Sequence, residues 1–161
     1  MYAIIDQRAP LKVKKNLEKY TQDIFEFSSD AITYNSIAGH PDIFMFQDAN
    51  KIIMAPNSPK EFIHFLDEKT VHYSFGIHPV GKNLDTSVLY NCLSTQKYFF
   101  CKKGKPDLSI EKWCSLKQLV NIPQSYARCS MFAIGNNIIT SDKGIVKVLE
   151  KSEIAYFYFD P

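Results

Sequence analysis

The chain has 161 residues, 45% of them hydrophobic and 22% charged, with a formal net charge of +2. These values describe one globular domain, residues 1–161, with enough apolar sequence for a core, and they exclude a disordered tail. With 12 Phe and 9 Tyr against 6 Gly and 8 Pro, collagen-like and low-complexity readings are excluded too.

The N-terminus runs straight into strand-like sequence at Tyr2-Ala3-Ile4-Ile5, without the basic start and long apolar run of a signal peptide. No apolar stretch approaches the roughly 20 residues of a membrane helix, so a cytoplasmic protein without a membrane partner is expected. The four cysteines, Cys92, Cys101, Cys114 and Cys129, form no C-x-x-C pair; free thiols, no structural zinc and no cofactor are the expectation. Only Arg8 and Arg128 among 19 basic residues are arginines. The cluster Lys12, Lys14, Lys15, Lys19 lies on one candidate helix and reads as a solvated face, so no nucleic-acid partner is expected.

Taken in chain order, a strand at 2–5, a helix at about 10–20 and a strand at 23–27 come first. Three longer units follow with one grammar. Strands at 41–46 and 51–55 flank turn residues 47–50, strands at 86–92 and 97–101 flank Ser94-Thr95-Gln96, and strands at 128–134 and 138–140 flank Gly135-Asn136-Asn137. Each reads as a hairpin by composition and turn chemistry. A helix start follows each one. Ser58-Pro59-Lys60-Glu61 reads as a capping box ahead of Phe62, Ile63, Phe65 and Leu66. Pro106-Asp107-Leu108-Ser109 opens a helix carrying Trp113, Leu116 and Leu119, and Ser141-Asp142-Lys143-Gly144 opens one carrying Ile145, Val148 and Leu149. Further strands are expected at 71–75 and 154–159, and less clearly at 120–123. The predicted class is α/β (α+β): a strand-strand-helix-strand module repeating roughly every 40 to 45 residues, with a partial unit at 1–30 and units at 31–80, 81–125 and 126–161.

The segments Gly39-His40-Pro41-Asp42-Ile43, Tyr126-Ala127-Arg128-Cys129-Ser130 and 138–145 resemble motifs of an uncharacterised bacterial domain family with the guanidino-group-modifying enzyme fold. That fold is the pentein, or α/β-propeller, of amidinotransferases and arginine deiminases. The resemblance runs from about Asp30 to the C-terminus. It implies modules around a pseudo-fivefold axis, of which this chain supplies about three and a half, a site where the inner strands converge, and acidic residues that clamp a guanidinium while a histidine handles protons. It also implies a nucleophilic cysteine in a C-terminal module, for which this sequence has no counterpart.

By repeat position, the residues expected to line such a site are His40 and Asp42, Asp85 with Asn91, Cys129 with Ser130, and Asp142. Bland roles compete with each. Asp142 suits a helix N-cap, His40-Pro41-Asp42 suits a strand-entry turn, and Cys129 suits a buried inert thiol. A Cys129–His40 nucleophilic pair is conceivable across the axis. His64, His72 and His78 match no compact metal motif, and G-x-G-x-x-G, Walker, H-E-x-x-H and G-x-S-x-G signatures are absent. Two functional classes stay open. One is a domain binding a small polar guanidino or amino-acid-like ligand, with a hydrolase or transferase acting on a guanidino compound as the catalytic variant. The other is a non-catalytic interaction module that forms homo-oligomers through exposed strand edges.

Overall fold

A computed structural model describes residues 1–160. It is α+β, with six helices among the described residues and four small sheets, none closed into a barrel. The opening unit is β1 (Tyr2–Asp6), α1 (Leu11–Leu17) and β2 (Asp23–Phe27), whose two strands pair in parallel. The next is β3 (Met45–Asp48), β4 (Lys51–Met54), α2 (Lys60–Glu68) and β5 (Ser74–Phe75). Then come α3 (Leu84–Ser87), β6 (Leu93–Ser94), β7 (Tyr98–Cys101), α4 (Leu108–Trp113) and β8 (Gln118–Asn121). The last is α5 (Ala127–Ser130), β9 (Met131–Ile134), β10 (Asn137–Thr140), α6 (Lys143–Lys151) and β11 (Tyr156–Tyr158).

Each of the three-stranded sheets has the same order: the middle strand pairs antiparallel with its hairpin partner and parallel with the strand that returns after the helix. A parallel return needs a crossover, and the helix supplies it. β1-α1-β2 is the helical half of the same unit without its hairpin strand. Neighbouring units meet through their first strands, β3 against β6 and β6 against β9.

The expected first strands need correction. Residues 41–43 form a 3-10 turn, 84–87 and 127–130 form short helices, and only the residues after them enter strands. The strand expected at 86–92 does not form, and the first strand of that unit is the two-residue Leu93–Ser94 just after it. Asn83 explains the helix there, because its side chain caps the turn by accepting from Thr86 N at 2.9 Å. The Ser58 capping box does not form: Ser58 Oγ donates to Ala55 O at 2.8 Å, and α2 starts at Lys60 with Pro59 at its N-cap and no side-chain cap. Leu119 lies in β8 rather than on a helix, and Leu116 is fully exposed in the turn before it.

The ends of α2 and α6 share a device that composition conceals. Thr70 and Glu153 adopt φ of 53°, and the next amides, Val71 N and Ile154 N, bond back to Leu66 O at 3.0 Å and Leu149 O at 2.9 Å. This is the Schellman arrangement, which normally carries glycine at the left-handed position. The non-glycine residues accept about 1 kcal/mol of local strain so that Val71 and Ile154 turn back toward the helices' buried leucines.

Two clusters of buried side chains lie on either side of β7. Phe99 and Cys101 point into one, with Phe27, Phe44, Phe46, Met54, Phe62 and Leu66. Tyr98 and Phe100 point into the other, with Val120, Ile138, Ile145 and Leu149. Strict alternation along one strand therefore makes it a wall between two cores. β7 is buried throughout because units pack on both sides of it, whereas β1 is only half-buried along its length. No helix among the described residues is long and apolar enough to cross a membrane.

Candidate functional site

The segments that precede the hairpins build the site. The turns Pro41–Ile43 and Ala127–Ser130 carry Asp42 and Cys129 to the region where the first strands converge, and Asn91 reaches it from the irregular stretch between α3 and β6. Asp42, Asn91 and Cys129 meet there. Asn91 is completely buried. Its Nδ2 donates to Asp42 Oδ2 at 2.7 Å and to Cys129 Sγ at 3.2 Å, and its Oδ1 accepts from Arg128 N at 2.8 Å. The Cys129 thiol donates to Asp42 Oδ2 at 3.0 Å. His40 Nδ1 lies 3.5 Å from the sulfur and 3.8 Å from Asp42 Oδ1.

A second set of hydroxyls, also one from each unit, accompanies this one. Tyr126 Oη bonds Ser87 Oγ at 2.7 Å and also bonds Tyr34 Oη. Burial pushes the Tyr126 phenol up to about 12, so it stays a neutral hydroxyl able both to donate and to accept.

Gly39 fixes the approach of His40. A Cβ at Gly39 would overlap the Asp6 carboxylate, which Arg8 holds in place through Nε at 2.9 Å and Nη2 at 2.6 Å. The Arg8 guanidinium, the main influence on Asp6, keeps that carboxyl below its ordinary range. A side chain at position 39 would have to dislodge this ion pair.

Burial and the Asp42 carboxylate both push the Cys129 thiol well above its ordinary value. A nucleophilic pair needs the imidazole to take the thiol proton. Here the carboxylate is nearer to sulfur than the imidazole is, so sulfur keeps its proton and the geometry is that of a thiol donor. The other cysteines are buried, and burial pushes Cys114 to about 11 and Cys101 to about 12.

The remaining expected residues lie elsewhere. Asp85 is three-quarters exposed and pairs with Lys105. Asp142 caps α6, accepting from Ile145 N at 2.9 Å and from Gln124 Nε2. Ser130 Oγ donates to Tyr126 O at 2.9 Å. Ser130 also lines, with Cys129, Arg128, Thr140, Ser141 and Phe132, a cavity of about 220 Å³ beside the cluster.

Sequence reasoning passed over Asp107, whose side chain is fully buried. It accepts from Ser109 N at 2.9 Å, Ser109 Oγ at 2.5 Å, His78 N at 2.9 Å, His78 Nδ1 at 2.9 Å and Ile77 N at 3.2 Å. A carboxylate only accepts, so His78 Nδ1 carries the proton. Burial alone would raise this carboxyl, but the donors from Ser109, His78 and Ile77 outweigh it and hold it at about 2. The Asp107-Leu108-Ser109 cap was the available signal, although it spoke only of a helix start.

No curated protein matches the chain at a significant level. Residues 4–161, which carry every group described above, match the profile of the Family of unknown function (DUF6873), and the chain belongs to that family.

Proposed function

We propose that the chain binds a small polar molecule of the guanidino or amino-acid-like class, with a cationic and an anionic end, beside Cys129. The observation that carries this reading is the convergence of Asp42, Asn91 and Cys129 from three successive units within 2.7–3.2 Å of one another. Repetition alone would not give three different polar side chains at one meeting point among buried apolar residues. Charge arrangement supports the ligand class. Asp42 lies on one side of the sulfur, and Arg128, which precedes it, lines the adjoining cavity with the hydroxyls of Ser130, Thr140 and Ser141. Carboxylate and guanidinium so placed complement a zwitterion. The resemblance to guanidino-group-modifying enzymes supports the same class. Binding rather than turnover is the reading, because the sulfur's nearest partner is a carboxylate.

Thermal unfolding of protein kept free of metal with a chelator tests this. Arginine is expected to raise the midpoint, and agmatine, which lacks the carboxylate, to raise it less. Asp42→Asn and Arg128→Ala should each remove most of the arginine effect. No shift with arginine, agmatine or methylated arginines, or an undiminished shift in Asp42→Asn, sinks the reading.

A specific surface favours a second reading, self-association. In the earlier units the first strand is covered by the first strand of the next, while β9 exposes Phe132 and Ile134 at 62% and 61% and nearby β11 exposes Phe157 at 64%. A second copy of the chain, related by a two-fold axis, covers such a face with itself. Light scattering should give a dimer mass at micromolar concentration that Ile134→Lys reduces to the monomer; a monomer at all concentrations discards this reading.

A further inference from the structure

The geometry points to a binding site for a thiophilic divalent cation of the Zn²⁺ class at Cys129 Sγ, His40 Nδ1 and the Asp42 carboxylate. These donors lie within 4.8 Å of one another. With a metal–sulfur bond of about 2.3 Å and metal–nitrogen and metal–oxygen bonds of about 2.0–2.1 Å, a tetrahedral ion separates its ligand atoms by about 3.3–3.6 Å. The present separations are 3.5 Å for sulfur to nitrogen, 3.0 Å for sulfur to the nearer carboxylate oxygen and 3.8 Å for nitrogen to the other oxygen. The sulfur–nitrogen separation already matches the required value, and rotation of the Asp42 carboxylate has to bring one of its oxygens to about 3.3–3.6 Å from both other donors.

Donor chemistry selects the ion. A thiolate with an imidazole and a carboxylate suits zinc and its analogues, whereas magnesium and calcium prefer oxygen alone. The site is also braced before any ion arrives. Buried Asn91 donates to both the carboxylate and the sulfur and is itself held by Arg128 N. Such supporting contacts aim ligands and strengthen metal affinity. On binding, the S–H bond of Cys129 breaks, its proton passes to solvent and the sulfur–metal bond forms, with no change of oxidation state. Three protein ligands leave a fourth position for water or another donor. Cys129 also lines the adjoining cavity.

Titrating metal-free, reduced protein with Co²⁺ tests this without any substrate. A single cobalt ion per chain should bind with a sulfur-to-cobalt charge-transfer band, and Zn²⁺ should displace it. Cys129→Ser should abolish the band, and His40→Gln should weaken cobalt binding by at least about tenfold. Should Cys129→Ser prove unfolded by circular dichroism, His40→Gln and Asp42→Asn decide, since both leave every thiol in place. Absence of the band overturns the site. So does a band that survives in Cys129→Ser, which would belong to Cys92, Cys101 or Cys114, or a cobalt affinity unchanged in His40→Gln. The arginine experiment uses metal-free protein and this one uses no arginine, so either can fail while the other stands.

Discussion

Asp107→Ala is expected to lower the free energy of unfolding by about 3–5 kcal/mol, the range for breaking a buried charged network. For a chain of this length that is a fall in melting temperature of roughly 6–20 °C. Asp107 caps α4, yet four of its hydrogen-bond contacts reach back to Ile77 and His78, in the segment that leads from β5 toward α3. Removing the carboxylate therefore leaves partly buried N–H groups without acceptors in two consecutive units. Tyr90, whose hydroxyl donates to His78 O at 2.7 Å, shares the same pocket. Asp107→Asn keeps the shape but turns amide hydrogens toward groups that already donate, so it should recover little. A loss under about 1 kcal/mol by urea unfolding would show that the network is not what joins these units.

The same residue sets an acid limit. Its folded carboxyl titrates at about 2, below the ordinary 3.8. A group with a depressed folded pKa contributes stability that is fully present above its unfolded value and is lost as pH falls through the folded one. Its contribution of about 2 kcal/mol should thus hold above about pH 4 and fade toward pH 2. The stability gap between the parent and Asp107→Ala narrows by that amount over this window. A gap that stays constant from pH 5 to 2 contradicts the assignment.

Asn91→Ala is the second large effect, about 2–4 kcal/mol, because it strands a buried amide and part of a carboxylate together. It removes the partner of Arg128 N, two contacts to Asp42 and one to Cys129 at a stroke. Since those contacts aim the sulfur and the carboxylate, both cobalt and arginine binding should fall further than in a variant of equal stability changed elsewhere, such as Ile138→Ala. Asn91→Asp should be no better, because it sets a second carboxylate against Asp42. Ligand and metal affinities that survive in a folded Asn91→Ala protein would show that the cluster does not depend on its buried amide.

The repeat was legible because its information is local. The continuous apolar run Tyr98-Phe99-Phe100-Cys101, Gly135 in its turn and Pro106-Asp107 before α4 each declare an element within a few residues. The segments that position the site were misread as strand for an equally physical reason. Val88-Leu89-Tyr90 looks like a strand by composition, but Asn83 caps a helical turn just before it, and tertiary contacts of Tyr90 hold the rest in irregular backbone. His40, Asp42, Asn91 and Cys129 were found through repeat position, which places residues of different units at one end of the assembly. That position does not tell which side chains turn inward: Asp85 pairs outward with Lys105, and Asp142 is occupied as a cap. The metal geometry was illegible for the same cause. His40 and Asp42 are sequence neighbours, but their third partner lies 87 positions further along the chain, a separation only the stacked units close.

The placement of β7 between two cores has a further consequence for how the molecule comes apart. Successive residues of one strand anchor different clusters, so neither cluster loosens without pulling on a backbone the other also grips. Solenoid-like chains ordinarily open from an end, unit by unit, with graded stability. Here the shared strand ties the middle of the chain to both sides, and partial opening is confined to the outer layers, β1–β2 at one end and β11 at the other. The convergence point of Asp42, Asn91 and Cys129 spans the units that this strand holds together, so its geometry persists while the periphery breathes.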